Sequence, residues 1–199
     1  LLHAMGGSDA DIVHTLNGSA PPPAQLPVLL HMLASGLNSP VTTSMGRLFD
    51  GIAALLGLCD TATFEGEAAI RLEHVADPAE HGAYDVALRC DPGMPVLIDW
   101  RPLVAALLAD MNRAVPLERM AARVHNGLIS AAVRMAQIAG CERVALSGGC
   151  FQNRMLLDRL ARALSHDGFT VLQHRHVPAN DGGVSFGQIF VAAARLRTH

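Results

Sequence analysis

Apolar positions recur at helical spacing through most of the chain. Leu29, Leu30, Leu33 and Leu37 share one face of a helix predicted over 26–37. Leu48, Ile52, Leu55 and Leu56 repeat the spacing over about 45–56, after N-cap chemistry in Thr42-Thr43-Ser44 and before a stop at Gly57. A shorter helix is expected at 65–74. The pattern then changes to alternation over 84–90 and 95–99, two strands that would form a hairpin around Asp91-Pro92-Gly93. Pro102 and Pro116 each sit where a helix starts, predicting helices to about 112 and 139. The second carries Met120, Val124, Leu128, Ala131, Met135 and Ile138 on one face and ends at Gly140. The last third reads strand (143–146), helix (152–164), strand (169–172), polar loop (174–180) and helix to 196. That alternation predicts an α/β fold, with a parallel or mixed sheet flanked by helices. The region 1–80 reads as mainly helical, with an extended break at Pro21-Pro22-Pro23, and 81–199 as an α/β lobe.

Composition narrows the class. The 199 residues suit one large domain or two small ones at roughly 150 residues each. Half are apolar, which excludes a disordered chain. No apolar run approaches the ~18 residues of a spanning helix, so no membrane partner is expected. The first residues carry no basic segment leading into an apolar one, so no signal peptide is expected and the location would be cytoplasmic. A chain that begins at Leu1 reads as a piece of something longer. All 15 basic residues are arginine, which excludes lysine Schiff-base chemistry and a phosphate-loop lysine. They are dispersed and the net charge is −3, so no nucleic-acid partner is expected. Cys59, Cys90, Cys141 and Cys150 include no CxxC spacing and read as free thiols.

Four short stretches bear candidate chemistry. Ser147-Gly148-Gly149 lies between a strand and a helix, where glycines let backbone N–H groups approach a phosphate and the helix dipole favours it. Asn153, expected on the first turn of that helix, offers an amide toward the same spot; a tight turn without ligand explains the motif equally well. Asp50 could accept both hydroxyls of a ribose, or pair with Arg47. Phe64-Glu65-Gly66-Glu67-Ala68 places Gly66 between two acids that could approach a nucleoside or meet a helix dipole. Asp181, in Asn180-Asp181-Gly182-Gly183, could bind a cation or cap the last helix. His174 and His176 read as solvated, and His125 as a half-buried helical histidine rather than a catalyst.

The order of these stretches is specific. Thr43-Ser44-Met45-Gly46-Arg47-Leu48-Phe49-Asp50-Gly51, Phe64-Glu65-Gly66-Glu67-Ala68-Ala69, Leu146-Ser147-Gly148-Gly149-Cys150-Phe151-Gln152-Asn153 and Asn180-Asp181-Gly182-Gly183-Val184-Ser185-Phe186-Gly187-Gln188 together resemble the HypF family of hydrogenase-maturation carbamoyltransferases. The resemblance covers roughly 26–196 and falls on the second half of the Kae1-like domain. It implies a lobe of the actin-like ATPase superfold (ASKHA, ribonuclease H-like). It further implies carbamoyl transfer: carbamoyl-adenylate, made from carbamoyl phosphate and ATP in a YrdC-like domain, would pass its carbamoyl group to the C-terminal cysteine of HypE. By the same resemblance Asp50 and Gly66 would hold the nucleoside, Gly148, Gly149 and Asn153 the rest of the nucleotide, and Asp181 a divalent metal (iron, zinc or magnesium). The family's HxxxH metal ligands, its YrdC-like domain and the first half of the Kae1-like domain do not occur in these 199 residues. Cys150 stands where the family commonly has Val. The isolated lobe is therefore expected to bind nucleotide weakly, to transfer no carbamoyl group and to expose apolar surface. Other readings are a related O-carbamoyl- or tRNA threonylcarbamoyl-transferase lobe, and a non-catalytic nucleotide-binding or interaction module.

Overall fold

The computed structural model describes residues 1–6 and 24–196. The extended break expected at Pro21-Pro22-Pro23 lies outside them. By contacts the chain divides into two compact units that interleave along the sequence. One is Leu1–Asp77 with Val104–Ala121; the other is Pro78–Leu103 with Ala122–His199.

The first unit begins its regular structure with α1 (Leu26–Ser35), followed by α2 (Met45–Leu55) and α3 (Glu67–Val75). Ser44 caps α2, its hydroxyl accepting the Arg47 N–H at 3.4 Å. The expected apolar stripe of α2 is buried through Leu48, Phe49, Ile52 and Leu55. It packs against α3, which buries Ala68 and Leu72. The predicted face of α1 forms but is not buried: among the described residues α1 has no buried residue, and Leu33 is 48% exposed. Most of α4 (Arg101–Asn112) and the first turn of α5 (Leu117–Ala139) also belong to this unit.

The second unit holds the strands. β1 (Ala87–Arg89) and β2 (Leu97–Asp99) form the expected antiparallel hairpin, with Leu88 opposite Ile98. β3 (Arg143–Leu146) and β4 (Thr170–Gln173) pair in parallel, with Val144 opposite Val171, joined through α6 (Arg154–His166). Leu156, Leu160 and Leu164 are buried on one face of α6, which packs on β4. A last helix, α7 (Val184–Leu196), has no buried residue.

Two expectations change. A single mixed sheet is not what forms. Among the described residues the strands make two separate two-stranded sheets. Each strand is three or four residues long and pairs across the shortest connection its direction allows, a hairpin for β1–β2 and a helical crossover for β3–β4. The alternation read over 84–90 is a strand only at Ala87–Arg89. Tyr84 and Val86 are buried, but their backbone meets α5 instead of a strand: Tyr84 N–H donates to Arg123 O at 3.2 Å, and Val86 O accepts from the Arg134 guanidinium.

Candidate functional site

The glycine loop after β3 is a tied polar segment of the second unit. Gly148 has φ +108° and ψ 161°, a region that a side chain essentially forbids, so glycine is required there. Its N–H donates to Ala179 O at 2.8 Å, and Ser147 Oγ lies 2.9 Å from His174 Nε2. The segments that leave the carboxyl ends of β3 and β4 are thereby tied together. That is where open α/β sheets gather ligands. Gly149 faces open space, with no atom within 4 Å of where a Cβ would stand. Asp181 follows the tied segment as an exposed first residue of a short 3-10 turn, whose N-terminus Asn180 caps by accepting the Gly182 N–H at 3.1 Å.

Asn153 sits differently from expectation. A 3-10 turn, Gly149–Gln152, precedes it, and Asn153 is the N-cap of α6 instead of a first-turn residue. Its Oδ1 accepts the Leu156 N–H at 2.8 Å, while its Nδ2 lies 2.8 Å from His125 Nε2. The side chain is 8% exposed. Asn153 is a joint of the loop, not an arm free to reach a ligand. His125, in the middle of α5, is fully buried instead of half-buried.

The remaining candidates lie in the first unit. Asp50, on α2, pairs with Arg47 at 2.8 Å, the ion-pair alternative of its sequence reading. Gly66, at φ +81°, is the N-cap of α3. Of the two acids beside it, Glu65 is exposed and Glu67 is buried in a local network. The Glu67 carboxylate accepts the Thr63 N–H at 2.6 Å and the Thr63 hydroxyl at 2.9 Å, and pairs with Arg71 at 2.5 Å. The Thr63 N–H first, then its hydroxyl and the Arg71 charge, hold this carboxyl below the ordinary carboxylate range, against the opposing pull of burial. The structure thus brings Gly148, Gly149, Asn153 and the Asp181 loop into one cluster of segments, and sets Asp50 and Gly66 on two helices that pack together.

A metal does not fit the described residues by themselves. Among them no three His, Cys, Asp or Glu side chains converge, and a single carboxylate such as Asp181 does not complete a coordination shell. None of the four cysteines is in a disulfide.

Sequence reading missed a second polar network on α5 and α6. Arg159 donates to Pro78 O at 2.7 Å, to Glu80 O at 3.2 Å and to Asn126 Oδ1 at 2.5 Å. Asn126 Nδ2 donates onward to Glu80 O and Gly82 O at 3.1 and 2.7 Å. The network fastens residues 78–82 to the helices, because carbonyls of an irregular segment need donors. A pocket of ≈ 490 Å³ opens beside it, lined by His81, Asn126, Arg134 and Arg159 among others and by no residue of the glycine loop. An apolar helix face carrying His125-Asn126 was the available signal: two adjacent polar residues there must each find a partner.

Comparison with known proteins places the chain in a family. Residues 1–188 match the family model described as carbamoyltransferase, Kae1-like domain, second subdomain. By this match the chain is of the class of Kae1-like carbamoyltransferase subdomains. More particularly, the chain belongs to the carbamoyltransferase HypF family. It is 42% identical over 152 residues to carbamoyltransferase HypF of Synechocystis sp., covering 76% of this chain and 20% of that protein. It is 36% identical over 225 aligned positions to carbamoyltransferase HypF2 of Cupriavidus necator, covering 98% and 26%. The crystal structure of full-length HypF in its phosphate- and nucleotide-bound form superposes with a TM-score of 0.83 at 31% identity, over 92% of this chain and 29% of that one. The chain therefore matches only about a fifth to a quarter of the length of these two relatives.

Proposed function

We propose that the chain is the nucleotide-facing lobe of a HypF-type carbamoyltransferase of the actin-like ATPase superfold. In this reading the backbone of Gly148 and Gly149 meets the phosphate end of ATP or carbamoyl-adenylate. Asp50 and Gly66, in the first unit, are by themselves candidates for nucleoside contacts, for which Asp50 must exchange its Arg47 partner. Asn153 acts from behind the loop. The carbamoyl carbon then passes from the adenylate oxygen to the C-terminal cysteine thiolate of a HypE partner: a C–O bond breaks, a C–S bond forms and AMP leaves. Carbamoyl phosphate would be the ultimate source, through a YrdC-like domain elsewhere in the enzyme, in the cytoplasm. Asp181 would give a divalent cation one oxygen; no step is routed through that ion.

One observation carries the reading. An open glycine loop stands at the carboxyl ends of two parallel strands, fastened to the Asp181 segment by the Gly148–Ala179 bond, in a chain of the HypF family. The bare apolar side of α7, with Phe186 and Phe190 47% and 62% exposed, fits a lobe that the rest of a larger enzyme covers. Among the described residues no helix is long and apolar enough to cross a membrane.

Calorimetric titration of ATP into the chain, with and without Mg²⁺, tests the reading. Weak, saturable binding is expected. Gly149→Val, which fills open space without an internal clash, should abolish it, and Asp50→Ala should weaken it. Absence of saturable binding by the folded chain, or equal binding by Gly149→Val, overturns the assignment of a nucleotide site to this lobe.

A further inference from the structure

His125 has no role in the reading above, yet it is the most thoroughly buried polar side chain near the glycine loop, with 0% exposure. A buried imidazole is disfavoured unless its polar atoms are bonded, and a leucine would fill a helix interior at lower cost. Its Nε2 lies 2.8 Å from Asn153 Nδ2. The roles in this contact are fixed from the other end. Asn153 Oδ1 already accepts the Leu156 N–H at 2.8 Å, so the amide presents its NH₂ to the ring. Nε2 must then be an acceptor, and the ring is neutral with its proton on Nδ1.

The consequence runs through Asn153 to the loop. Asn153 closes the 3-10 turn Gly149–Gln152, its N–H donating to Cys150 O at 3.2 Å, and opens α6 through its side-chain oxygen. An asparagine amide can flip. Were it to flip here, its NH₂ would face the Leu156 N–H, donor against donor, and its oxygen would face the ring lone pair. The Leu156 N–H and an acceptor on His125 both oppose that alternative and together leave one amide orientation.

We propose that His125 is a positioning residue of the nucleotide loop. Its neutral ring selects the Asn153 amide orientation that caps α6 and so holds Gly148 and Gly149 in the conformation offered to phosphate. The proposal rests on the nucleotide-lobe reading for its consequence, but its structural half stands apart from that reading.

The test has one spectroscopic arm and one exchange arm. In ¹⁵N-labelled wild-type chain, the His125 imidazole should show a protonated Nδ1 and an unprotonated Nε2; an Nε2-protonated ring overturns the proposal without any variant. Hydrogen exchange of peptides spanning 147–157 is then compared among wild type, His125→Phe, His125→Gln and Asn153→Ser. The Phe ring keeps the volume and loses the acceptor; Gln can return one; Ser keeps the cap and loses the amide donor. His125→Phe and Asn153→Ser should each speed exchange in 147–157 by roughly five- to tenfold, the worth of one ordinary buried hydrogen bond. The double variant should be no faster than either, and His125→Gln should restore protection. Equal acceleration throughout 122–196 in His125→Phe, or no change in 147–157 in Asn153→Ser, overturns the proposal. Where His125→Phe fails to fold, the spectroscopic and Asn153→Ser results still decide. ATP titration separates the two readings. Wild type that binds no ATP while the exchange pattern holds defeats the nucleotide reading alone. ATP affinity unchanged in a His125→Phe whose loop has loosened defeats the positioning role.

Discussion

Replacing Gly127 by alanine sets two effects of known sign against each other. Gly127 lies inside α5, where alanine is favoured over glycine by about 1 kcal/mol through backbone entropy alone. A Cβ at this position, however, would stand 2.4 Å from Tyr84 O, 3.3 Å from Tyr84 C and 3.5 Å from Tyr84 N. All three are backbone atoms and none can rotate away. Relief requires the 84 segment to move off the helix, and that segment is fastened on either side: Asn126 bonds the carbonyls of Glu80 and Gly82 before it, and the Arg134 guanidinium bonds Val86 O after it, with Tyr84 N–H itself on Arg123 O. Overpacking of this kind costs typically ~1–3 kcal/mol, and a fixed backbone neighbour puts it in the upper part of that range. The expected net effect is a loss of about 2 kcal/mol, or roughly 4–8 °C in Tm for a chain of this size. Gly187→Ala in α7 is the matched control. No atom lies within 4 Å of its Cβ position, so propensity acts alone and the chain should gain up to about 1 kcal/mol. Gly51→Ala falls between them, because what it meets is the flexible end of the Leu1 side chain at 2.8 Å. Urea unfolding of the three variants, with Tm by circular dichroism, gives the ranking. A Gly127→Ala chain as stable as wild type would mean that residues 83–86 are not held against α5, and the docking described for Tyr84 would be wrong.

Other consequences follow from single sites. Glu67 has a folded pKa below its ordinary value of about 4.5. Its contribution to stability is therefore fully present above that value and is lost as pH falls through the lower folded value. In thermal melts, the advantage of wild type over Glu67→Gln should be flat from neutral pH to about pH 5 and should shrink on further acidification; an advantage that grows with acid contradicts the Thr63 and Arg71 bonding. Gly148→Ala forces a side chain into the φ +108° conformation and should cost about 1–3 kcal/mol in urea unfolding, whereas Gly149→Val should be nearly neutral for folding; equal stabilities would show the loop to be pliable. Arg159→Met keeps the side-chain stem but removes all three bonds to Pro78, Glu80 and Asn126, and should cost about 2 kcal/mol with exchange quickened at 78–82; no local quickening would deny the clamp.

Period and punctuation disclosed much of the fold. Leu48–Ile52–Leu55 and Leu156–Leu160–Leu164 fall on real buried faces, and Ser44, Pro102 and Gly57 stand within a residue or two of the helix ends they predict. These signals are local, and local geometry fixes them. Tyr84 and Val86 alternate as a strand would, but alternation records only that two side chains share a buried side. Whether their backbone meets a strand or a helix depends on α5, about forty residues later in the chain. The sheets divide for a related reason, since pairing depends on connection length and strand length together.

The candidate site shows the same boundary more sharply. Gly148 was legible because its conformation belongs to the residue itself. Asn153 was legible as a polar residue at a helix start, yet its function as a cap with a second bond behind it needed the position of His125, 28 residues earlier. Spacing on a helix relates i to i+3 and i+4 and says nothing across such a distance. His125 and Asn126 are neighbours that serve different partners, one the glycine loop and one the 78–82 segment, and neither partner is visible from α5 alone. The bare faces of α1 and α7 carry that reasoning one step further. Their apolar residues are plain in the sequence, though less sharply one-sided than those of α2, and periodicity states only that a face should be covered. For α2 the cover is α3, within this chain. For α7, with Ile189 and Phe190 more than 60% exposed, burying those side chains is worth about 1.5–3 kcal/mol each and is not realised within the described residues. In the two HypF relatives named above, three quarters or more of the protein lies beyond the stretch that aligns with this chain.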